Sequence, residues 1–205
     1  MQSLPPELSE QVLLRANSST LISLCGTSPQ YRNLCSDSLF WKKRFKQEGL
    51  PLLEQVSPSS EQGTSAQSWI RIYQNSRRVA QLVEDYLERD NQNISFEQIN
   101  LDELSKIAPE VVRSYIQEGH ELEQLLEEKS LLEQEDSPLK DALDDIDAAI
   151  QTIPEYFITV RWEGTKTYAL DIVLYTPLDR EYDYLNILHG LSSDKAFNLL
   201  FNLLY

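Results

Sequence analysis

Residues 4–16, Leu4-Pro5-Pro6-Glu7-Leu8-Ser9-Glu10-Gln11-Val12-Leu13-Leu14-Arg15-Ala16, hold the pattern on which the reading of the fold turns. Pro5 and Pro6 stand where a first helical turn can begin, since proline's fixed φ suits that turn and its missing N–H is not needed there. Leu8, Val12, Leu13 and Ala16 then recur at helical spacing. Asn17 to Thr20 break the pattern, and Ser19 can cap a second short helix whose apolar side is Leu21, Ile22, Leu24 and Cys25. Gly26 to Ser28 end it. Pro29 opens a third helix through Tyr31, Leu34 and Cys35, and Asp37 or Ser38 caps a fourth that carries Leu39, Phe40, Trp41 and Phe45. Gly49 and Pro51 stop that one.

Residues 57–67 are mostly Ser, Gln, Gly and Thr, which is linker composition, and a soft domain boundary is placed there. Beyond it, Trp69, Ile70, Ile72, Tyr73, Val79, Leu82, Val83, Tyr86 and Leu87 follow the period of one long amphipathic helix, or of two joined near Asn75. Further helices are predicted over 101–108, 109–118, 120–134 and 138–152. The composition then changes. Two β-branched and aromatic runs, Phe157 to Trp162 and Thr167 to Tyr175, flank Glu163-Gly164, which predicts a β-hairpin. A lone hairpin is marginal and must pack on helices. Residues 193–204 predict a closing helix with Ala196, Phe197, Leu200, Phe201 and Leu204 as its apolar stripe.

The chain has 205 residues and a net charge of -15, unevenly spread. Residues 1–50 carry six basic and four acidic side chains, so this segment stands at +2 and the remainder at -17. Such an excess of negative charge argues against nucleic acid and against an anionic membrane surface as partners. There is no signal-peptide pattern and no long apolar run, so a cytoplasmic or nuclear protein is expected. Cys25 and Cys35, the only cysteines, lie in apolar helical patterns and are expected as reduced, buried thiols.

Leu4-Pro5-x-Glu7-Leu8, then Val12-Leu13, Leu21, Leu24 and Leu34, and finally Asp37 with Phe40-Trp41-Lys42, together resemble the F-box family over about 45 positions. Where that family usually has Val-Cys before its third helix this chain has Thr27-Ser28; Tyr31 stands for a tryptophan and Ala16 for a leucine. Trp69 with Tyr73 also looks like the aromatic helix that follows the F-box in some members. The resemblance implies docking on a Skp-type adaptor protein and, through it, on a cullin scaffold of a ubiquitin ligase. The residues it assigns to that contact are Leu4, Pro5, Leu8, Val12, Leu13, Leu21, Leu24, Tyr31, Leu34 and Trp41. A module of under fifty residues cannot bury every apolar side chain by itself, which leaves a surface for a partner. Lys42, Lys43, Arg44 and Lys46 read as the wet face of the fourth helix, or as a basic patch that steers an acidic adaptor.

Other chemistries find less support. His120 and His189 have no Cys, Ser or second His at metal or triad spacing, and both read as structural or exposed. The carboxylates between Glu118 and Asp147, including Glu127-Glu128, Glu135-Asp136 and Asp144-Asp145, fall on the polar side of helices and read as a solvated face; a docking surface for a basic partner is the residual reading. No phosphate loop, calcium loop, metal site or cofactor is expected. The charged and tyrosine-rich loop after Tyr175, with Asp179, Arg180, Tyr182 and Tyr184, is the preferred contact for a target protein.

The sequence therefore predicts a mostly α protein: an F-box-like module at 1–52, a linker at 53–67, and a helical domain at 68–205 completed by a C-terminal β-hairpin and a closing helix. The expected function is a non-enzymatic adaptor that brings an unidentified target protein to a Skp and cullin ligase. A structural or assembly protein that keeps the fold without binding the ligase is the second reading, and an acidic hydrolase using carboxylates of 118–147 the third.

Overall fold

In the computed structural model, which describes residues 5–56, 62–134 and 140–205, all four short helices of the N-terminal region form: α1 (Pro6–Arg15), α2 (Ser18–Thr27), α3 (Pro29–Cys35) and α4 (Ser38–Glu48). Pro6 and Pro29 each occupy a first helical turn. The cap of α2 is Asn17 rather than Ser19: the Asn17 side-chain oxygen accepts from the Thr20 amide at 2.9 Å. Asp37 does the same for Leu39 at 2.9 Å and starts α4, which Gly49 ends at φ 68°, a left-handed conformation that glycine adopts without penalty.

Helices this short are marginal alone, so packing must hold them. A fifth helix, α5 (Gln62–Leu87), completes their core. Leu13, Leu21, Phe40, Trp41, Phe45, Trp69 and Tyr73 are buried together, and Trp41 stacks on Trp69 with ring centroids 6.3 Å apart. The chain divides into two compact units between Leu82 and Val83, inside α5. That division differs from the boundary placed at 53–67: residues 62–67 are helical, and Ala66 is buried among the N-terminal helices, while 57–61 lie outside the described residues.

The cysteines correct the sequence reading. Cys25 and Cys35 are buried, but they are bonded to each other as a disulfide that ties the end of α2 to the end of α3, with Cα atoms 5.8 Å apart. Two helices that turn back on each other through Ser28 bring the pair within bridging distance.

The second unit is built on four antiparallel strands in sequence order, β1 (Gln92–Ser95), β2 (Glu155–Gly164), β3 (Thr167–Thr176) and β4 (Glu181–Ser192). The expected hairpin is β2–β3, pairing Ile158 with Ile172, though its turn falls at Thr165-Lys166 and not at Glu163-Gly164. The sequence reading missed β1 and β4. The residues placed in a loop after Tyr175 are therefore mostly strand, with only 177–180 in a turn. β3 is central: Ala169 to Val173 are all buried, so both of its faces are covered.

Around the sheet lie α6 (Leu101–Ser105), α7 (Pro109–Glu133), α8 (Lys140–Thr152) and α9 (Ser193–Leu204). The two helices expected at 109–118 and 120–134 are one continuous α7 running through Gly119. α9 buries Ala196, Leu200, Phe201 and Leu203, and the Leu203 carbonyl accepts from the Asn100 amide at 2.6 Å, joining the end of α9 to the start of α6. The protein is mostly helical, with an N-terminal helical module and C-terminal strands followed by a closing helix.

Candidate functional site

α1 has two apolar flanks with different fates. Ser9 and Leu13 point inward and are fully buried; the Ser9 hydroxyl accepts from the Gln30 side-chain amide at 2.8 Å. Leu8 and Val12, one turn apart on the other flank, are 48% and 43% exposed, and Pro5 just before them is exposed too. Leucine and valine of this exposure on a ten-residue helix leave an apolar strip in water.

The residues assigned to the adaptor contact therefore separate. Pro5, Leu8 and Val12 are available; Leu24, Tyr31 and Leu34 are half-buried against the core; Leu4 lies outside the described residues. Leu13, Leu21 and Trp41 are corrections, because each is sealed inside the module. Trp41 spends its indole N–H on the Cys35 carbonyl at 2.7 Å and its ring on Trp69 and Tyr73, so nothing of it is left for a partner. The sequence reading missed Leu39, which is 61% exposed; its place one residue before the buried Phe40-Trp41 pair puts it on the flank of Lys42 and Lys43.

Arg44 is a second correction. It belongs to no basic surface patch, being only 5% exposed. Its guanidinium donates to the main-chain oxygens of Leu14 and Ala16, which are carbonyls left over at the end of α1, and it pairs with Glu48. The Tyr73 hydroxyl donates to Glu48 at 2.7 Å in the same cluster. Burial pushes the Tyr73 phenol above its ordinary pKa, and the Glu48 carboxylate adds to the rise while Arg44 opposes it. Lys42, Lys43 and Lys46 remain exposed, with Lys43 bridging to Glu10 of α1 at 2.6 Å.

In the second unit, a cavity of about 630 Å³ opens between α7 and the start of β2. Tyr115 and Tyr156 line it, their rings 5.4 Å apart, and Phe96 packs behind both. The Tyr156 hydroxyl donates to Glu118 at 2.8 Å; burial first, and then this carboxylate, hold the phenol well above its usual pKa. Of the acidic stretch 118–147, Glu118 and Glu123 reach the cavity, whereas Glu127, Glu128, Asp144 and Asp145 face solvent and Glu135-Asp136 lie outside the described residues. Among the described residues, no group of three or more His, Cys, Asp or Glu is arranged to hold a metal ion.

The residues expected to contact a target lie together at one end of β3 and β4. Tyr175 and Tyr182 are cross-strand neighbours with ring centroids 4.7 Å apart, Tyr184 is 63% exposed, and Asp179 and Arg180 form the connecting turn. The histidines fall elsewhere. His120 faces Glu123 at 3.6 Å, and His189 meets Glu163 at 2.5 Å; that contact, with the Gly190 amide at 2.7 Å, lowers the Glu163 pKa. Among the described residues no helix is long and apolar enough to cross a membrane.

No curated protein and no solved structure matches the chain. A family model does: the F-box domain matches residues 1–43, about a fifth of the chain, and the N-terminal module is thus an F-box domain.

Proposed function

We propose that the protein is a non-enzymatic substrate-recognition adaptor of a Skp and cullin ubiquitin ligase. The F-box match over residues 1–43 carries this reading, and the exposed strip of Pro5, Leu8 and Val12 supports it by supplying apolar surface that the module does not cover itself. Covering Leu8 and Val12 would stabilise a complex by about 1–2 kcal/mol each. The half-buried Leu24, Tyr31 and Leu34 extend the contact. Lys42, Lys43 and Lys46 add long-range attraction for an acidic adaptor, which acts on the association rate more than on affinity.

An adaptor needs a second face for its target, and the second unit supplies it. Tyr175, Asp179, Arg180, Tyr182 and Tyr184 form an aromatic strip with charges at its rim, the composition of a protein contact.

Co-expression with a Skp-type adaptor and a cullin tests this function. Recovery of all three as one complex by size-exclusion chromatography is expected. A chain that elutes without either subunit would instead favour an assembly protein that keeps the F-box fold and does not serve the ligase.

A further inference from the structure

β4 is an outer strand of the sheet: β3 pairs along one of its edges, and no described strand pairs along the other. Neighbouring residues of a strand send their N–H and C=O groups to opposite edges, so alternate residues of β4 aim theirs away from β3. Among the described residues, the main chain from Glu181 to Asn186 makes no hydrogen bond outside its pairing with β3. Sheet edges are commonly guarded by lysine, proline or a bulge. This run has no lysine and no proline, and its register with β3 is unbroken; the shifts come after Asn186.

The side chains of the run alternate between two chemistries. Glu181, Asp183 and Leu185 stand on one face, registered with Thr176, Leu174 and Ile172; Tyr182 and Tyr184 stand on the other, registered with Tyr175 and Val173. All five are exposed. Neither Glu181 nor Asp183 has an ion pair among the described residues.

These features select an occupant. A row of unpaired main-chain groups is satisfied by another extended main chain, which adds as a strand. A second copy of this chain would bring a net charge of -15 and the same two carboxylates to the contact, and like charges repel across a strand pair. A segment that sets lysine or arginine against Glu181 and Asp183, with apolar residues between them for Tyr182 and Tyr184, matches the main chain and both faces together.

We propose that the outer edge of β4, from Glu181 to Asn186, takes an extended segment of the target protein as a fifth strand, one in which basic and apolar residues alternate. This rests on the adaptor reading and names how the second unit holds its target: by main-chain pairing, with Glu181, Asp183 and the two tyrosines choosing the sequence.

The test follows amide hydrogen exchange by NMR in the full chain, with and without acetyl-Lys-Val-Lys-Val-Lys-Val-amide. In the free chain, the amides of the run that face β3 should exchange slowly and the alternate ones fast. Peptide at about 5 mM should slow the fast set by about fivefold or more, and added salt should weaken the effect. Acetyl-Glu-Val-Glu-Val-Glu-Val-amide should leave that set fast. A Glu181→Gln, Asp183→Asn variant should bind the lysine peptide about fivefold more weakly. Both side chains are exposed, so its melting temperature should hold. Fast amides that stay fast with the lysine peptide, equal protection by the two peptides, or equal affinity in the variant would overturn the proposal. Amides already slow in the free chain, in a particle with the mass of two chains, would give the edge to a second copy and overturn it too. Capture of the Skp-type adaptor is measured on the same samples. Adaptor capture without protection by the peptide refutes the β4 edge alone, and protection without adaptor capture supports the edge while refuting the ligase reading.

Discussion

The guanidinium carbon of Arg44 lies 5.7 Å from the ring centroid of Tyr73, and its Nη2 donates to the Tyr73 hydroxyl at 3.2 Å. The two residues are 29 positions apart, on α4 and α5. Because the same guanidinium also holds the carbonyls at the end of α1, one buried cation joins three helices of the first unit. Glu48 balances its charge.

Removing that cation leaves two buried carbonyls without their donor and Glu48 with only the Tyr73 hydroxyl and Arg77 at 3.8 Å. Arg44→Leu should lower stability by about 3 kcal/mol, since a buried cation's ion pair and its hydrogen bonds to the carbonyls are lost together. Arg44→Lys should not restore it, because an ammonium cannot address divergent acceptors with a planar fork. Urea denaturation of the three proteins checks both statements.

Trp69 lies beyond the expected linker yet packs against Trp41. Trp69→Ala should cost about 3–5 kcal/mol, the usual penalty for emptying a large aromatic site. The loss should appear in the unfolding of the first unit. A destabilisation under about 1 kcal/mol would mean that Trp69 does not belong to that core.

Much of the first unit was legible in the sequence for local reasons. Pro6, Pro29, Asp37 and Gly49 act through their own backbone chemistry, and the helices start or stop where they stand. Arg44 was misread because a helix surface pattern cannot show that α1 ends above it. Trp41, Leu13 and Leu21 were assigned to the contact through the family resemblance, whose apolar positions do not tell core from surface. The helical part of the second unit was largely legible, as was the β2–β3 hairpin, whose long aliphatic runs carry their own signal. β1 and β4 were not: β1 is four residues of mixed polarity whose partner, β2, is distant in sequence, and β4 begins with charged and polar residues around Tyr182 and Tyr184 that lack a strand's apolar alternation, although it pairs with β3 directly across the turn at 177–180.

The disulfide went unread because helical spacing alone does not show that α2 and α3 fold back on each other and bring Cys25 to Cys35. Under denaturing, non-reducing conditions neither Cys25 nor Cys35 should take up iodoacetamide, and both should after reduction. Opening this short loop should lower stability by about 2–3 kcal/mol on the chain-entropy argument. Mass spectrometry and a paired denaturation curve measure the two effects.

Tyr156 and Tyr73 both have raised pKa values, chiefly through burial. A folded pKa above the unfolded one favours the protonated form in the folded state. The stability from each phenol is therefore complete below about pH 10, the ordinary tyrosine value, and is lost as pH rises beyond it. Tyr156→Phe should flatten part of that alkaline loss and cost about 1 kcal/mol near neutrality for the hydrogen bond to Glu118. Glu163 runs the opposite way. With its pKa lowered by His189 first and Gly190 next, its contribution is present above the ordinary carboxyl range and lost as pH falls through the lowered value.

The most direct test of the account is the affinity of the full chain for a Skp-type adaptor, measured by calorimetry for the wild type and for Leu8→Ala, Val12→Ala. Both side chains are exposed, so the melting temperature should hold while binding weakens by about 2–3 kcal/mol, roughly a hundredfold. Unchanged affinity in the double variant would contradict the assignment of this strip as the docking face.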